Sequence, residues 1–242
     1  MSSKKVLITG ASSKLGKTFA KHLQSQDYFT YLHYKDSFDK IQGLSDKKNI
    51  FIEADFNFLE KSIQNFTNIF EKHGYPDIII NNASTFTNDK LGNMHYETFT
   101  ENMHVNTITP LFLLSNITEK LNHDSLVINI LDYFTDNIPT RNFLSYGIAK
   151  SLLTQLTKSL AVSMAPKTRV NAIALSPVIC DPSEDPDNFM FRATDNVLGN
   201  IIDVAQVIST IDFLINNKAI TGEIIRVDSG KHLQMKSDYF NN

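Results

Sequence analysis

The stretch VLITGASSKLG, residues 6–16, joins a short apolar run to a turn containing Gly10 and then to Gly16, where helix-like periodicity begins. Glycine is needed where a backbone turns sharply or approaches a phosphate closely. A helix N-terminus adds unpaired N–H groups and a positive dipole end for a pyrophosphate. Taken alone the stretch is weak evidence, because a strand-to-helix turn without a ligand has the same sequence. Its meaning depends on whether the remaining chain builds a parallel sheet.

The rest of the chain alternates apolar runs with amphipathic stretches. Most of the apolar runs lack two-residue alternation, which is typical of strands buried on both faces of a parallel sheet. We predict strands at 6–8, 29–33, 50–52, 78–80, 126–131, 170–175 and 224–227. We predict helices at 15–24, 59–72, 96–121, 145–164 and 204–216. This alternation predicts one doubly wound α/β domain of the Rossmann type, with a seven-stranded parallel sheet flanked by helices.

We expect this single domain to cover residues 1–242, with a dinucleotide-binding half at about 1–125 and a catalytic and substrate-binding half at about 126–242. One segment is irregular, SPVICDPSEDPDNFMFRATDNVLGN at 176–200, which has three prolines and more acids than its single arginine. A loop of this length in a compact fold is usually a lid or a mobile flap. We therefore predict a lid after the sixth strand.

Composition and charge exclude several classes of protein. The net charge is −3 and the pI about 6.1, so the chain has no basic field for nucleic acid or an anionic membrane. The single cysteine, Cys180, excludes an internal disulfide, and histidines such as His33 and His104 lack metal-ligand spacing. No apolar run approaches the roughly 20 residues of a membrane span, and the start lacks a signal-peptide core. We expect a cytoplasmic protein without a metal.

The end of the second predicted strand, LHYKDS at 32–37, bears on the choice of dinucleotide. A 2′-hydroxyl group usually meets an unaccompanied acid at this point, whereas a 2′-phosphate needs basic and hydroxyl groups. Lys35 and Ser37, with Lys14 in the glycine turn, favour NADPH. Asp36 is the residue that argues for NADH.

Tyr146 and Lys150 lie four residues apart in SYGIAKSLLTQL, at the start of the helix predicted at 145–164. Residues four apart project from the same helix face. A tyrosine has an ordinary pKa near 10, and we expect the neighbouring ammonium of Lys150 to lower it. Any helix can contain this pair by chance, but here it follows the fifth strand of the predicted sheet, beyond a nucleotide turn.

Asp132 ends the apolar run of SLVINILDYFTDN, residues 125–137. An acid at the end of a strand marks either the point where the chain meets water or a group that handles protons in a site. The strand alone does not decide between these interpretations.

Over its whole length the chain resembles the short-chain dehydrogenase/reductase family. The motifs that carry the resemblance are TGASSKLG (9–16), EADF (53–56), NNAS (81–84), HVNT (104–107), YGIAK (146–150) and ITGEIIRVDSG (220–230). In that family an asparagine of the fourth helix, a tyrosine and a lysine form a proton relay. The resemblance assigns these roles to Asn106, Tyr146 and Lys150, with the lysine also orienting the nicotinamide ribose.

The family normally has a serine at the end of the fifth strand, where this chain has Asp132. One branch uses aspartate there, namely the pteridine reductases and the short-chain dihydromonapterin reductases. Lys14 stands where that branch has an arginine, and NNASTF at 81–86, with Phe86, is similar to its fourth-strand end. The resemblance implies NADPH-dependent reduction of a dihydropterin such as dihydromonapterin or dihydrobiopterin, or of dihydrofolate. It also implies a homotetramer built on the fourth and fifth helices.

The chemistry of a pterin suits these residues. A flat aromatic ring can stack on Phe86 while the nicotinamide covers its other face. Reducing a ring C=N bond needs hydride at carbon and a proton at nitrogen, and a carboxylate accepts hydrogen bonds from the pterin amino and ring N–H groups better than a hydroxyl does. The negative charge of the lid disfavours folates with anionic glutamate tails, so we expect a small pterin.

The resemblance assigns further residues to the site. Residues expected at the cofactor are Gly10, Ser13, Lys14, Leu15, Gly16, His33, Tyr34, Lys35, Ser37, Asp55, Phe56, Asn82, Ala83, Ser84, Tyr146, Lys150, Pro177 and Val178. Residues expected at the substrate are Lys14, Ser84, Phe86, Asp132 and Tyr146.

Two alternatives remain open at this point. One is a general short-chain carbonyl or 3-oxoacyl reductase, for which replacing Asp132 by serine would keep or improve activity. The other is a protein that binds NADPH without catalysis, against which the intact Asn106, Tyr146 and Lys150 argue.

Overall fold

The computed structural model describes residues 3–45, 48–134, 142–180 and 184–234. Seven parallel strands form one sheet in the order β3-β2-β1-β4-β5-β6-β7. They are β1 (Lys5–Ile8), β2 (Phe29–Tyr34), β3 (Asn49–Glu53), β4 (Ile78–Asn81), β5 (Ser125–Asp132), β6 (Thr168–Leu175) and β7 (Ile224–Val227). Each predicted strand is confirmed to within two residues. The order reverses between β1 and β4, which is where sheets of this type bind nucleotides.

In the described part of the chain, seven α-helices flank the sheet. They are α1 (Lys14–Ser25), α2 (Leu59–His73), α3 (Tyr96–Met103), α4 (Thr109–Ile117), α5 (Leu144–Ser163), α6 (Pro186–Thr194) and α7 (Val204–Asn216). Short 3-10 turns lie at Phe38–Lys40, Gln42–Leu44, Thr118–Lys120 and Lys231–Leu233. Within the ranges described, no helix combines the length and apolarity needed to cross a bilayer.

The two faces of the sheet are buried against different helices. In β1, Val6 and Ile8 join one apolar cluster and Leu7 joins the other, because successive side chains of a strand point to opposite faces. The first cluster packs the sheet against α1 and α7 through Phe19, Leu23, Val207 and Ile211. The second packs it against α2 and α4 through Phe66, Phe70, Leu113 and Ile117. Burial on both faces explains why the strands lack alternation.

The single helix predicted at 96–121 is interrupted. A π-helical turn, His104–Ile108, separates α3 from α4. Pro110 supplies the physical reason, because proline has no N–H for the carbonyl four residues before it, which is that of Asn106. Such π-turns are frequent at functional sites, and this one contains Asn106.

The segment predicted as an irregular lid, 176–200, contains the helix α6. The expectation of irregular chain over the whole segment was therefore wrong. Asp185 caps the helix by accepting a hydrogen bond from the backbone N–H of Asn188, and Pro186 occupies the first turn, where it lacks only an N–H that would be unpaired anyway. The same proline and acids that suggested a loop are helix-start signals.

Candidate active site

A cleft of about 730 Å³ opens at the carboxyl ends of the central strands. It is lined by the β1–α1 turn, by the ends of β2, β4, β5 and β6, and by the inner face of α5. Ligands of open α/β sheets bind in this position. The predicted site residues that line the cleft are Gly10, Ser13, Lys14, Leu15, His33, Lys35, Asp55, Phe56, Asn82, Ala83, Ser84, Asp132, Tyr146, Lys150 and Val178.

The remaining predicted residues lie outside the lining, at Gly16, Tyr34, Ser37, Phe86, Asn106 and Pro177. Tyr34 is absent from the lining because side chains alternate along a strand. His33 points toward the cleft, and the next side chain therefore points away from it. The hydroxyl of Tyr34 instead donates to Glu53, and that of Ser37 donates to Asp36.

The glycine turn requires both of its glycines. Gly10 has φ +64°, and a Cβ atom there would lie 2.7 Å from the Cα of Ala83. A Cβ at Gly16 would lie 2.4 Å from the carbonyl oxygen of Gly10. The hydroxyl of Ser13 caps α1 by accepting from the N–H of Gly16 at 3.0 Å, and the amide of Asn82 donates to the Gly10 carbonyl at 3.0 Å. The N-terminus of α1 is thereby fixed at the cleft, where it suits a pyrophosphate.

His33 supports this turn from below. Its Nδ1 accepts a hydrogen bond from the N–H of Gly10 at 3.0 Å, and its Nε2 lies 2.9 Å from the carbonyl of Ala54. The ring stacks on Phe56 with a centroid separation of 4.3 Å. Burial lowers the pKa of His33 to about 4, against the opposing effects of the Ala54 carbonyl and Asp55, so the ring is neutral. It joins the glycine turn to the end of β3.

Lysines surround the same part of the cleft. The Nζ of Lys14 donates to the carbonyl of Cys180 at 2.7 Å, which joins the glycine turn to the segment after β6. Lys35 forms an ion pair with Asp55 at 3.3 Å. Lys17 and Lys40 also line the cleft, although the sequence analysis missed both. Their signal was available, since Lys17 follows the second glycine directly and Lys40 lies in the turn after β2.

Asp132, Tyr146 and Lys150 meet at the other end of the cleft. Asp132 is the last residue of β5, and Tyr146 and Lys150 face it from one side of α5, at 5% and 3% exposure. The hydroxyl of Tyr146 donates a hydrogen bond to Oδ2 of Asp132. The Nζ of Lys150 donates to the carbonyl of Ile130 at 2.9 Å and lies 5.7 Å from the centroid of the Tyr146 ring. The acid at the strand end therefore lines the cleft together with Tyr146 and Lys150.

The charges of these three groups are coupled. Burial raises the pKa of Asp132, against the effects of Lys150 and of the Tyr146 hydrogen bond. Burial, followed by the charge of Asp132 and the hydrogen bond to it, raises the pKa of Tyr146 well above 10.0, while the Ser84 hydroxyl acts in the opposite direction. Burial also lowers the pKa of Lys150, against the attraction of Asp132. The prediction that Lys150 lowers the pKa of Tyr146 was wrong for the protein alone, because burial and Asp132 dominate.

Asn106 reaches the site through the loop after β4. Its Oδ1 accepts a hydrogen bond from the Ser84 hydroxyl at 2.6 Å, and its Nδ2 donates to the carbonyls of Thr85 and Asn102 at 3.1 and 3.0 Å. Ser84 in turn lines the cleft. The contacts of the Asn106 side chain therefore fix the position of Ser84 relative to the α3–α4 bend.

Aromatic rings border Tyr146 at the rim of the cleft. Phe86 is 58% exposed and meets Tyr146 edge to face, with centroids 4.8 Å apart and an interplanar angle of 84°. Phe143 stacks on Phe86 with centroids 4.1 Å apart and planes 10° from parallel. Phe134 lies 6.1 Å from Tyr146. Of these rings only Phe86 was predicted, since nothing in the sequence around Phe143 distinguishes it from other phenylalanines.

Asp89, which was also not predicted, holds the start of α5 in place. It is 2% exposed, its Oδ1 accepts from the N–H of Ser145 at 3.1 Å, and its carbonyl accepts from the N–H of Leu144 at 3.3 Å. The amide of Asn102 donates to the Ser145 hydroxyl at 2.9 Å. These contacts join the first turn of α5, which carries Tyr146, to the loop after β4.

Comparison with known proteins agrees with this arrangement. A family model described as enoyl-(acyl carrier protein) reductase, of the short-chain dehydrogenase/reductase type, matches residues 10–232. The chain is 27% identical over 236 residues to a dihydromonapterin reductase from Citrobacter koseri, covering 95% of this chain and 97% of the relative. A relative of the same name from Klebsiella pneumoniae is 28% identical, with the same coverage.

Solved structures give the same answer for the fold. The crystal structure of the FolM alternative dihydrofolate reductase 1 from Brucella canis, complexed with NADP, superposes with a TM-score of 0.91 at 25% identity, over 99% of this chain and 98% of that one. The strand order, the glycine turn, the Tyr146–Lys150 pair and the matched length together identify the family. The chain belongs to the short-chain dehydrogenase/reductase family.

Proposed function

We propose that this protein catalyses the NADPH-dependent reduction of a dihydropterin to its tetrahydro form. One observation carries the proposal: Tyr146 donates a hydrogen bond to the carboxyl group of Asp132 in the cleft, with Lys150 on the same helix face. A carboxylate accepts the hydrogen bonds that an amino-bearing heterocycle offers. The names of the relatives, dihydromonapterin reductase and alternative dihydrofolate reductase, support the same substrate class.

The glycine turn and the basic part of the cleft fit NADPH. The N-terminus of α1 would hold the pyrophosphate, and Lys14, Lys17 and Lys40 would meet the 2′-phosphate. Asp36, the residue that argued for NADH, does not line the cleft and accepts a hydrogen bond from Ser37 at 2.9 Å. Relatives complexed with NADP support this cofactor. When bound, the reduced nicotinamide supplies a hydride.

The proton chemistry of the site fits reduction. A ring C=N bond needs a proton at nitrogen, and Tyr146 retains its proton because burial and Asp132 raise its pKa well above 10.0. Burial also raises the pKa of Asp132, which favours its protonated form relative to an exposed carboxyl group. Tyr146 therefore carries a proton, and its hydrogen bond to Asp132 would let the carboxyl group take part in relaying it. Lys150, anchored on the Ile130 carbonyl, lies beside the pair and would orient the nicotinamide ribose.

The aromatic rim fits a flat substrate. Phe86 offers a largely exposed ring that meets the ring of Tyr146 edge to face. A pterin stacked on Phe86 would lie beside Tyr146, and its nitrogens would meet Asp132, which accepts the Tyr146 hydrogen bond. The hydroxyl of Ser84, held by Asn106, would face the same region.

We further propose a preference for small dihydropterins over dihydrofolate. Residues 181–183 of the predicted lid lie outside the described residues. The described parts, 176–180 and 184–200, carry four acids against one arginine. Glu184 pairs with Arg192, and Asp195 pairs with Lys231 at 3.3 Å, so part of this charge is used within the fold. The remaining negative charge disfavours the anionic glutamate of a folate.

Exposed apolar side chains support assembly. Ile148 and Leu152 lie one turn apart on α5 with exposures of 42% and 40%, and Phe112 on α4 is 46% exposed. Faces of this kind usually mark protein contacts. We propose that they are buried in a homotetramer, which acts in the cytoplasm where NADPH is available. Light scattering checks the mass, and a monomer at working concentrations would contradict the assembly.

Steady-state kinetics that follow NADPH absorbance test the activity. We expect the highest kcat/KM with dihydromonapterin or dihydrobiopterin. A higher value with dihydrofolate would overturn the substrate preference. Tight NADPH binding without turnover of any dihydropterin would overturn the proposed function and favour a protein that only binds the nucleotide.

Replacing Asp132 separates the proposed function from general carbonyl reduction. Asp132→Ser should lower pterin turnover by about 10²- to 10⁴-fold, the usual contribution of a group that takes part in proton transfer. A general carbonyl or 3-oxoacyl reductase would keep or gain activity with serine there. Asp36→Ser is the matched control, because Asp36 is exposed and outside the cleft lining.

A further inference from the structure

Phe143 has an unusual backbone conformation next to the catalytic residues. It precedes α5 with φ 60° and ψ 38°, in the left-handed region that favours glycine. A bulky aromatic residue is rare in this region, and residues held there cluster at binding and catalytic sites. The conformation therefore calls for an explanation from the contacts of the side chain.

The ring of Phe143 covers one face of Phe86. The two planes are 10° from parallel with centroids 4.1 Å apart, and the same Phe86 ring meets Tyr146 edge to face with centroids 4.8 Å apart. An exposed side chain ordinarily samples several rotamers, and ordering it upon binding costs free energy. Phe86 is 58% exposed, yet two rings fix its orientation. The contact with Phe143 thus pre-organises an exposed ring beside the catalytic hydroxyl.

We propose that Phe143 is a positioning residue for the substrate: it holds Phe86 so that the opposite face of that ring receives a planar, nitrogen-rich heterocycle beside Tyr146. This inference rests on the proposed function and extends it. It assigns part of the selectivity for flat substrates to a residue that does not line the cleft and that no motif identifies.

Substitutions at Phe143 test whether the position needs a flat aromatic ring or only an apolar side chain. Phe143→Leu keeps an apolar side chain but cannot stack, so KM for the dihydropterin should rise about 2- to 10-fold, the usual worth of an aromatic pair. Phe143→Trp keeps a flat ring and should restore KM to near the wild-type value. KM for NADPH should not change in either variant. Phe213→Leu, an exposed phenylalanine on α7, is the matched control.

A glycine at the same position tests whether Phe143 positions the substrate or only stabilises the fold. Phe143→Gly removes the ring and also relieves the left-handed backbone strain. We expect its thermal midpoint to equal or exceed that of the wild type, while KM for the dihydropterin rises as in Phe143→Leu. A purely structural role predicts the reverse, namely a lower midpoint and an unchanged KM.

A direct binding signal is available because the chain has no tryptophan. Phe143→Trp therefore introduces the only indole, and titrating its NADP⁺ complex with the dihydropterin should quench the emission to saturation. Phe213→Trp should give no specific quenching. Wild-type turnover together with an unchanged KM in both Phe143→Leu and Phe143→Gly overturns this inference and leaves the proposed function intact. Absence of wild-type turnover overturns the proposed function and, with it, this inference.

Discussion

Acid should destabilise the nucleotide end of the site through His33. The ring accepts a hydrogen bond from Gly10 at Nδ1 and faces the Ala54 carbonyl at Nε2, so the neutral tautomer carries its hydrogen on Nε2. A second proton on Nδ1 would turn this acceptor into a donor. It would then point at the N–H of Gly10, which is also a donor. Only 3% of the residue is exposed, so solvent does little to stabilise the cation. Burial accordingly lowers the pKa of His33 from 6.5 to about 4.

The size of the effect follows from proton linkage. The unfolded chain binds a proton at this histidine below about pH 6.5, whereas the folded protein binds it only near pH 4, so the free energy of unfolding falls as the pH drops through that window. The gap from 6.5 to about 4 corresponds to about 3.4 kcal/mol, at about 1.36 kcal/mol for each pH unit. At pH 5 the loss is about 2 kcal/mol, from about 1.5 units below 6.5. Above pH 6.5 the contribution is fully present.

Urea unfolding at pH 7 and pH 5 measures this loss. His33→Gln is the comparison, because an amide can accept from Gly10 and donate to Ala54 but does not titrate. The wild type should lose about 2 kcal/mol more than the variant between the two pH values. The other six histidines are present in both proteins and cancel in the difference. Equal losses in the two proteins would refute the reasoning, and would mean that His33 is protonated in the folded state at no cost.

Further predictions concern the two ends of the cleft and the start of α5. Tyr146→Phe should lower kcat by about 10²- to 10⁴-fold while NADPH affinity, measured by fluorescence titration, stays the same; retained activity would exclude Tyr146 as the proton donor. Lys40→Ala should raise KM for NADPH about tenfold with little change for NADH, because one charge-assisted contact is lost; Lys120→Ala is the control. Asp89→Ala should lower the free energy of unfolding by about 1–3 kcal/mol, since the N–H of Ser145 loses its acceptor. Asp89→Asn should lose less, and equal urea midpoints for all three proteins would contradict the assignment.

The strands were predictable from sequence because a strand that is buried on both faces is apolar at most positions. Runs such as 126–131 are apolar without interruption, and their partners in a parallel sheet read the same way. Helix continuity was less predictable. The pattern across 96–121 remains amphipathic through the π-turn, and Pro110, which breaks the hydrogen-bond ladder, is also a common residue at a helix start. The periodicity of apolar residues predicts which face of a helix is buried. It does not predict where the backbone hydrogen bonds change from the α-helical to the π-helical pattern.

The candidate site divides in the same way. Tyr146, Lys150 and Asp132 could be named from spacing and from resemblance, because the roles proposed for them demand particular side-chain chemistry. Phe143 and Asp89 could not, because what matters about them is a contact with a distant part of the chain. Asp89 is 56 residues from Ser145, and its side chain accepts a hydrogen bond from the Ser145 N–H. Residues that position a site act through tertiary contacts. A sequence motif contains them only when they lie close in the chain to the residues that they position.

The protonation state of Tyr146 in the protein alone bears on the proposed chemistry. Tyrosine in this family was expected to be acidified by its lysine, which would suit a base that removes a proton from an alcohol. Here Asp132 stands in hydrogen-bond contact with Tyr146, and burial together with that carboxyl group raises the tyrosine pKa well above 10.0. An ionised tyrosine would face a carboxylate in a buried cleft, which Coulomb repulsion opposes. A serine at 132 would not impose this penalty. The aspartate therefore favours a neutral Tyr146 hydroxyl, which is the form that a proton donor to a ring nitrogen needs under the proposed function.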